Sequence, residues 1–253
     1  MAKLSITRDS GRHFLTDRIR EEVDWWLTPQ SRGIAPPPVQ KPVADDAVIV
    51  PLPGRGEWHI PTCDLADAIA SRESRRGFLS VPLTIDELAF LLWSSQGVRS
   101  RLHGAAVLRN VPSAGCRHPF ETYLAVRCIE TIEPGIYRYL PLDHALVLVR
   151  PPGNLAERLT AATRGQSFAG EAAVTFIWSA IPGRVEWRYA EASYKVIAID
   201  AGHVCQNLYL ACEAIGAGTC AIAAYNQDLS DELIGVDGSE EFVVYLAPVG
   251  KLK

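Results

Sequence analysis

The sequence predicts an α+β fold, and three observations carry that prediction. Two apolar segments, residues 172–180 and 242–246, are typical of buried strands. A long segment, residues 193–215, has apolar residues around most of its helical circumference, as expected of a helix at the centre of a molecule. Strands and helices do not alternate along the chain as β-α-β units, so the class is α+β rather than α/β.

The N-terminal part of the chain, residues 1–60, differs in composition from residues 61–253 and is expected to form an arm ahead of a folded domain. Two proline-containing stretches in it cannot lie in helix interiors or central strands, which predicts an extended conformation. A short helix is predicted at residues 17–27. It carries Trp25 and Trp26, which we expect to dock on the body of the protein or on a second subunit, because adjacent tryptophans are rarely left in water.

The folded domain is expected to begin with two helices. Residues 64–71 suit a short helix that would deliver an arginine-rich run at its C-terminal end. Thr84 and Glu87 have the spacing of a capping box in front of an apolar run. A second helix is therefore predicted to begin there and to end near Gly97.

The middle of the chain is rich in predicted strands. Residues 121–129 and 135–140 have strand character, and a Pro-Leu-Asp-His turn connects the second of them to residues 145–149. This arrangement predicts a β-hairpin. Residues 154–163 suit a helix, and Ser230 is predicted to open a short helix before the last strand.

Several polar residues interrupt the long apolar helix. Asp200, His203, Gln206 and Asn207 need hydrogen-bond partners on so apolar a surface. Gly202 costs up to about 1 kcal/mol relative to alanine in a helix interior, and its usual reason is the close approach of another element. We expect these residues to serve a subunit interface or bonds between helices.

Composition excludes several classes of function. The net charge of -4 gives no overall basic field for nucleic acid or anionic lipid. No apolar run approaches the roughly 20 residues of a membrane-spanning helix, and the N-terminus lacks the apolar core of a secretory signal, so a cytoplasmic protein is expected. The six cysteines form no C-x-x-C pair, which favours reduced thiols over disulfides or a metal site.

The first motif that carries chemistry is an R-x-S-x-R run. Arg72, Ser74 and Arg76 alternate in it with Glu73 and Arg75, which are expected to face elsewhere. Two guanidiniums and a hydroxyl over five residues suit a phosphate monoester, because the fork of arginine matches phosphate oxygens. A solvated, charged helix end explains the run equally well when it is taken alone.

Two further motifs consist of small residues. The loop Pro-Ser-Ala-Gly at residues 112–115 suits a plain turn, but it would also let backbone amides approach a flat ring closely. The segment at residues 216–218 begins a G-x-G-x-x-A string, yet it closes a long helix, whereas the dinucleotide motif follows a strand and opens a helix. Helix termination by glycine is its simplest explanation.

In this order and context, these motifs resemble the flavin-dependent nitroreductase superfamily. The closest resemblance is to its SagB-type dehydrogenases, a branch that includes the azoline oxidases acting on peptides. The resemblance covers roughly residues 63–251. It implies a nitroreductase-like fold, with a central, mainly antiparallel sheet flanked by helices, and it implies FMN as the cofactor.

The resemblance also implies a role for each motif. The arginine run would hold the FMN phosphate, and the small-residue loop would lie against the flavin, commonly that of the partner subunit in a homodimer. The glycine segment would back the ring, and a lysine near the chain end would add charge near the phosphate. The cofactor-binding residues expected on this basis are Arg72, Ser74, Arg76, Pro112, Ser113, Ala114, Gly115, Gly216, Ala217, Gly218 and Lys251.

The function implied is that of an FMN-dependent oxidoreductase that passes hydride through bound flavin. The donor would be NAD(P)H, with a nitroaromatic or quinone-like acceptor. Alternatively, a peptide azoline would be the donor. Azoline oxidases use a lysine–tyrosine pair as base, and the only comparable neighbours here are Arg188-Tyr189 and Tyr194-Lys195.

The chain departs from its relatives after the small-residue loop. They often continue with Ala-Leu-Tyr-Pro, whereas this chain has Cys116, Arg117, His118 and a proline. His118 is a candidate for proton transfer because neutral imidazole can donate or accept near pH 7, although a structural histidine is the favoured alternative. Two other hypotheses stay open: a non-catalytic flavin-binding scaffold that presents its proline-rich arm, and a thiol enzyme using Cys116 beside His118.

Overall fold

The computed structural model describes residues 7–102 and 106–252, so residues 1–6 of the predicted arm lie outside the described residues. Its helices are α1 (Arg8–Leu15), α2 (Ile19–Glu22), α3 (Leu65–Ser71), α4 (Ile85–Gln96), α5 (Leu155–Ala162), α6 (Ser167–Glu171), α7 (Gly183–Tyr189), α8 (Ser193–Ala214) and α9 (Gln227–Ile234). Its strands are β1 (Ile49–Pro51), β2 (Val98–Arg101), β3 (Val107–Arg109), β4 (Phe120–Val126), β5 (Gly135–Leu140), β6 (Ala145–Arg150), β7 (Val174–Ala180), β8 (Ala217–Thr219) and β9 (Phe242–Lys251).

One large sheet organises the protein. Seven strands lie in the order β1-β6-β5-β4-β7-β9-β8, and each neighbouring pair is antiparallel. All residues of β4 and β7 are buried because helices cover both faces of the sheet. On one face Trp178 packs with Leu92 of α4 and Leu208 of α8, and on the other Leu159 of α5 packs with Leu233 of α9. The predicted α+β fold is confirmed.

Local sequence signals account for the main helices. Thr84 and Glu87 form the predicted capping box, with Thr84 Oγ1 accepting from the Glu87 amide at 3.1 Å and Glu87 Oε2 accepting from the Thr84 amide at 3.0 Å. Helix α4 ends at Gly97, as expected. The long helix α8 follows α7 through a short 3-10 turn, Ala190–Ala192. In the described part of the chain, no helix has both the length and the apolarity needed to cross a membrane.

Some predicted boundaries differ from the structure. The predicted hairpin is confirmed, since β5 pairs with β6 in antiparallel register. The helix expected at residues 17–27 is only α2 followed by a 3-10 turn, Trp25–Leu27. Helix α9 begins before Ser230, because the Asn226 side chain caps it by accepting from the Leu229 amide at 3.1 Å.

The extended arm is bonded to the sheet rather than loosely attached. Arg109 donates to the Val39 carbonyl at 2.8 Å, and Arg138 donates to the carbonyls of Lys41 and Pro42 at 3.1 and 2.8 Å. Trp26 is 85% exposed and does not dock on the body of this chain, so its docking on a second subunit stays a prediction. The arm is therefore hydrogen-bonded to the sheet around residues 39–42, whereas Trp26 is exposed to solvent.

Candidate functional site

The R-x-S-x-R run lies beside the edge strand β8, directly after α3. Ser74 forms a parallel bridge with Thr219, and the Arg75 amide donates to the Thr219 carbonyl at 2.9 Å. A Cβ placed on Gly218 would stand 2.9 Å from Arg75 Cβ and only 2.4 Å from Leu252 Cδ2. Glycine at 218 is therefore needed for the run to pack on the sheet edge.

The charges of the run divide into two groups. Arg75 pairs with Glu73 at 2.8 Å. The guanidinium of Arg72 instead lies 5.4 Å from the ring centre of Tyr209, and that of Arg76 lies 5.9 Å from the ring centre of Phe168. Within the described residues, neither of these two arginines forms an ion pair, so both guanidiniums keep their donors for an external anion.

Tyr209 is a residue of this site that the sequence interpretation missed. Its hydroxyl accepts from the Ala221 amide at 2.8 Å and lies 3.0 Å from Ser74 Oγ. Because the Tyr209 oxygen accepts from the Ala221 amide, its own proton is available for donation to Ser74 Oγ. The Ser74 hydroxyl proton can then be donated to a bound ligand. Thr219 Oγ1 beside them is buried without a partner among the described residues. The donor set fits a phosphate group.

The glycine segment and Lys251 both make contacts within the chain. Gly216 has φ +63° and ends α8 in the left-handed region. Arg75 and Leu252 occupy the space next to Gly218 where a Cβ would lie. A flavin ring therefore could not pack against that side of Gly218. Lys251 Nζ donates to Glu87 and, at 2.8 Å, to the Ile215 carbonyl. Its ammonium group is thus paired with a carboxylate, and the expected contribution of Lys251 to charge near the phosphate stays a prediction.

The small-residue loop is held by Asp200 of α8. Ser113 Oγ donates to Asp200 Oδ2 at 2.6 Å, and the Ala114 amide donates to the same oxygen at 3.3 Å. The His118 amide donates back to Ser113 Oγ at 3.0 Å. These donors are therefore used inside the chain instead of being free for a flavin edge. Asp200 was singled out only as a polar group needing a partner, and this loop is that partner.

The arginine run and the loop do not converge within one chain. The run contacts α8 at Tyr209, and the loop contacts it at Asp200. Nine residues correspond to about two and a half helical turns, so the two side chains project from opposite sides of α8, about 14 Å apart along its axis. Pro112 is exposed at the far side of the helix from the run.

The candidate base His118 is a structural residue. Its side chain is buried, and Nε2–H donates to the Val107 carbonyl at 3.0 Å. Burial, aided by the nearby charge of Arg109, lowers the pKa of His118 to about 3, so the imidazole stays neutral. In the described residues no hydrogen bond joins His118 to Cys116, which leaves the thiol-enzyme hypothesis without its base. Nor does any cluster of three or more His, Cys, Asp or Glu there suit a metal ion.

A pH-dependent stability follows from the buried imidazole. The unfolded histidine has a pKa of about 6.5, so between about pH 6.5 and 3 the unfolded chain binds the proton more tightly. His118 therefore stabilises the fold fully above about pH 6.5, and this contribution is lost as the pH falls towards 3. We expect urea unfolding of the wild type to lose about 2–3 kcal/mol more than His118→Gln between pH 7 and about 4.5. Parallel pH curves for the two proteins would contradict this.

Comparison with known proteins identifies relatives. The family model described as the nitroreductase family matches residues 69–251. A protein assigned to the nitroreductases, MJ1384 of Methanocaldococcus jannaschii, is 30% identical over 187 residues, which cover 74% of this chain and 90% of that protein. The trifolitoxin-processing protein TfxB of Rhizobium leguminosarum bv. trifolii is 28% identical over 138 residues, covering 53% of this chain and 37% of TfxB.

A solved structure has the same fold. The crystal structure of a nitroreductase-type protein from Anabaena variabilis aligns with a TM-score of 0.71 and 24% identity. The alignment covers 85% of this chain, which spans 43% of the longer Anabaena chain. The family match over most of the sequence and the antiparallel sheet with its long helix lead to the same conclusion. The chain belongs to the nitroreductase family.

Proposed function

We propose that the chain is an FMN-dependent oxidoreductase of the SagB type. The observation that carries this proposal is the donor set at the sheet edge, where Arg72 and Arg76 flank Ser74 and have no acidic partner among the described residues. Bound FMN would supply reversible two-electron chemistry at its ring. The residues of this chain would hold the phosphate through the two guanidiniums and the Ser74 hydroxyl, with Tyr209 fixing that hydroxyl.

We propose a homodimer, because one chain leaves its two cofactor-binding elements on opposite sides of α8. A face of this helix is exposed in the single chain, and a Cβ added at Gly202 would meet nothing within 4 Å. Ile199 and Tyr194, both about half exposed, lie on the same helix. A second copy packed there would cover this face and bring its Ser113 loop towards the arginine run. That arrangement would also explain the mid-helix glycine.

The reaction we propose is hydride transfer from NAD(P)H to the flavin and then to a nitroaromatic or quinone-like acceptor, in the cytoplasm. The resemblance to MJ1384 favours this over other classes. The hypothesis of a scaffold that presents its proline-rich arm to a partner is less favoured. The backbone carbonyls of Val39, Lys41 and Pro42 accept hydrogen bonds from buried arginines, which hold the arm on the sheet. With the candidate histidine buried, the site would act mainly by positioning the donor and acceptor at the ring.

A second candidate is oxidation of a modified peptide. The similarity to TfxB, a toxin-processing protein, motivates it. One structural observation favours Arg188-Tyr189 as the pair nearest the site: a Cβ added at Gly115 would lie 2.9 Å from the Tyr189 hydroxyl. Lys195 of the other pair faces Asp17 at 3.8 Å instead.

An absorption experiment tests the proposed function. FMN-supplemented protein, freed of excess flavin, is expected to keep a visible flavin spectrum that NADH or NADPH bleaches and that an added nitroaromatic restores. Retained flavin that NAD(P)H does not bleach, but that a peptide azoline does, would favour the second candidate. Protein that retains no flavin would refute both.

A further inference from the structure

Two arginines flank Gly115 at the tip of the small-residue loop. Arg117 Nε donates to the Gly115 carbonyl at 3.0 Å. A Cβ added at Gly115 would meet Arg188 Cδ at 2.8 Å and Arg188 Nε at 3.1 Å. The loop supplies Arg117 and the end of α7 supplies Arg188, so that both arginine side chains lie next to the backbone of Gly115.

Arg117 is buried, and no carboxylate among the described residues neutralises its charge. It is only 7% exposed, and its guanidinium carbon lies 4.9 Å from the ring centre of Trp187. Burial lowers its pKa, and the charge of Arg188 lowers it further, which reflects two like charges at close range. Within the described parts of the chain, neither arginine forms an ion pair. Keeping two such charges together costs free energy unless an anion joins them.

Two of the three other buried arginines differ in this respect. Arg138 and Arg184 both pair with Glu121, and Arg109 donates to the Gln96 side chain. A carboxylate thus neutralises Arg138 and Arg184, whereas Arg117 and Arg188 have no carboxylate partner among the described residues.

Three of the six non-glycine residues with positive φ in the described part of the chain lie at the same place. Gly115 and Cys116 have φ values of +58° and +55°, and His118 follows at +46°. Ala190, at the end of α7, has φ +43°. Residues with side chains seldom adopt such angles, and strained backbone of this kind clusters at binding sites. Here it brings the loop and the end of α7 together.

We propose that Arg117 and Arg188 form a second anion site, separate from the arginine run, that binds a carboxylate or phosphate group of the substrate. The substrate role rests on the proposed function, but anion binding as such does not. Guanidinium forks bind both kinds of oxyanion, so two sources have to be distinguished. One is a carboxylate on the acceptor, and the other is the 2′-phosphate of a nicotinamide dinucleotide.

Calorimetric binding to the flavin-loaded protein tests the proposal without relying on turnover. The probes are benzoate with its neutral analogue benzamide, and NADP⁺ with NAD⁺, which lacks the 2′-phosphate. Arg188→Gln is the main variant because Arg188 is exposed and its replacement should not disturb folding. Arg99→Gln, another exposed arginine, is the matched control.

Benzoate or NADP⁺ binding is expected to weaken about tenfold or more in Arg188→Gln, while benzamide and NAD⁺ binding and the control stay unchanged. Loss confined to benzoate identifies a carboxylate, and loss confined to NADP⁺ identifies the dinucleotide phosphate. If neither anion binds, or if neither depends on Arg188, the proposal is wrong. Flavin content and bleaching, measured on the same samples, show separately whether the proposed function holds.

Discussion

Replacing Arg72 and Arg76 together with glutamine is expected to weaken FMN binding at least about a hundredfold. Each charge-assisted hydrogen bond to phosphate contributes roughly 1.5–3 kcal/mol, and about 1.4 kcal/mol corresponds to a factor of ten. Neither guanidinium has a carboxylate partner in the described residues. The substitutions are therefore expected to lower FMN affinity without removing an ion pair that stabilises the fold. Quenching of FMN fluorescence during titration with flavin-free protein measures the affinity.

Two comparisons make this experiment specific. Arg75→Gln removes the same charge from the same run, but Arg75 already pairs with Glu73. Exposed ion pairs contribute about 0–1 kcal/mol, so this control should change FMN affinity by less than about fivefold. Riboflavin, which lacks the phosphate, should bind the wild type and the double variant alike. Equal effects of the control and the double variant would contradict the assigned phosphate site.

The second large effect is expected at Glu121, whose replacement by glutamine should cost about 3–5 kcal/mol of unfolding free energy. Glu121 is 2% exposed and pairs with both Arg184 and Arg138, the latter at 3.0 Å. It also accepts from the Lys41 amide at 2.9 Å, so it joins the arm to the sheet. Burial raises its pKa, but the two arginines outweigh burial and hold the pKa below the usual value.

Removal of this single carboxylate would leave two buried guanidiniums without their anion. The cost of an unpaired buried charge exceeds that of losing an ordinary hydrogen bond. Urea unfolding followed by tryptophan fluorescence measures it, with Glu240→Gln as the exposed control, for which we expect almost no change. A loss below about 1 kcal/mol for Glu121→Gln would mean that the arginines find other partners or water.

The parts of the fold that the sequence predicted well depend on near neighbours in the chain. Thr84 and Glu87 cap α4 through contacts three residues apart, and the turn between β5 and β6 is equally local. Such signals require no knowledge of distant residues. The predicted helix boundaries were less accurate where one capping side chain sets the first residue, as Asn226 does at the start of α9.

The candidate site was predictable in composition but not in geometry. The alternation of arginines about Ser74 was visible, whereas Tyr209, which orients that serine from 135 positions away, was not. Lys251 was expected to add charge near the phosphate, but its contact with Glu87, 164 positions away, could not be predicted from the sequence. His118 looked like a possible base because sequence gives no measure of burial.

The fold class and the family resemblance were predictable from the sequence, and so was the hypothesis that the arginine run binds a phosphate. Those properties follow from local periodicity, short spacings and the chemistry of individual side chains. Folding was needed to show which charges have a carboxylate partner. It was also needed to show that Asp200 and Tyr209 place the loop and the arginine run on opposite sides of one helix. Electrostatic pairing and burial depend on distances in space, because chain-distant groups meet only after the sheet and its helices have packed.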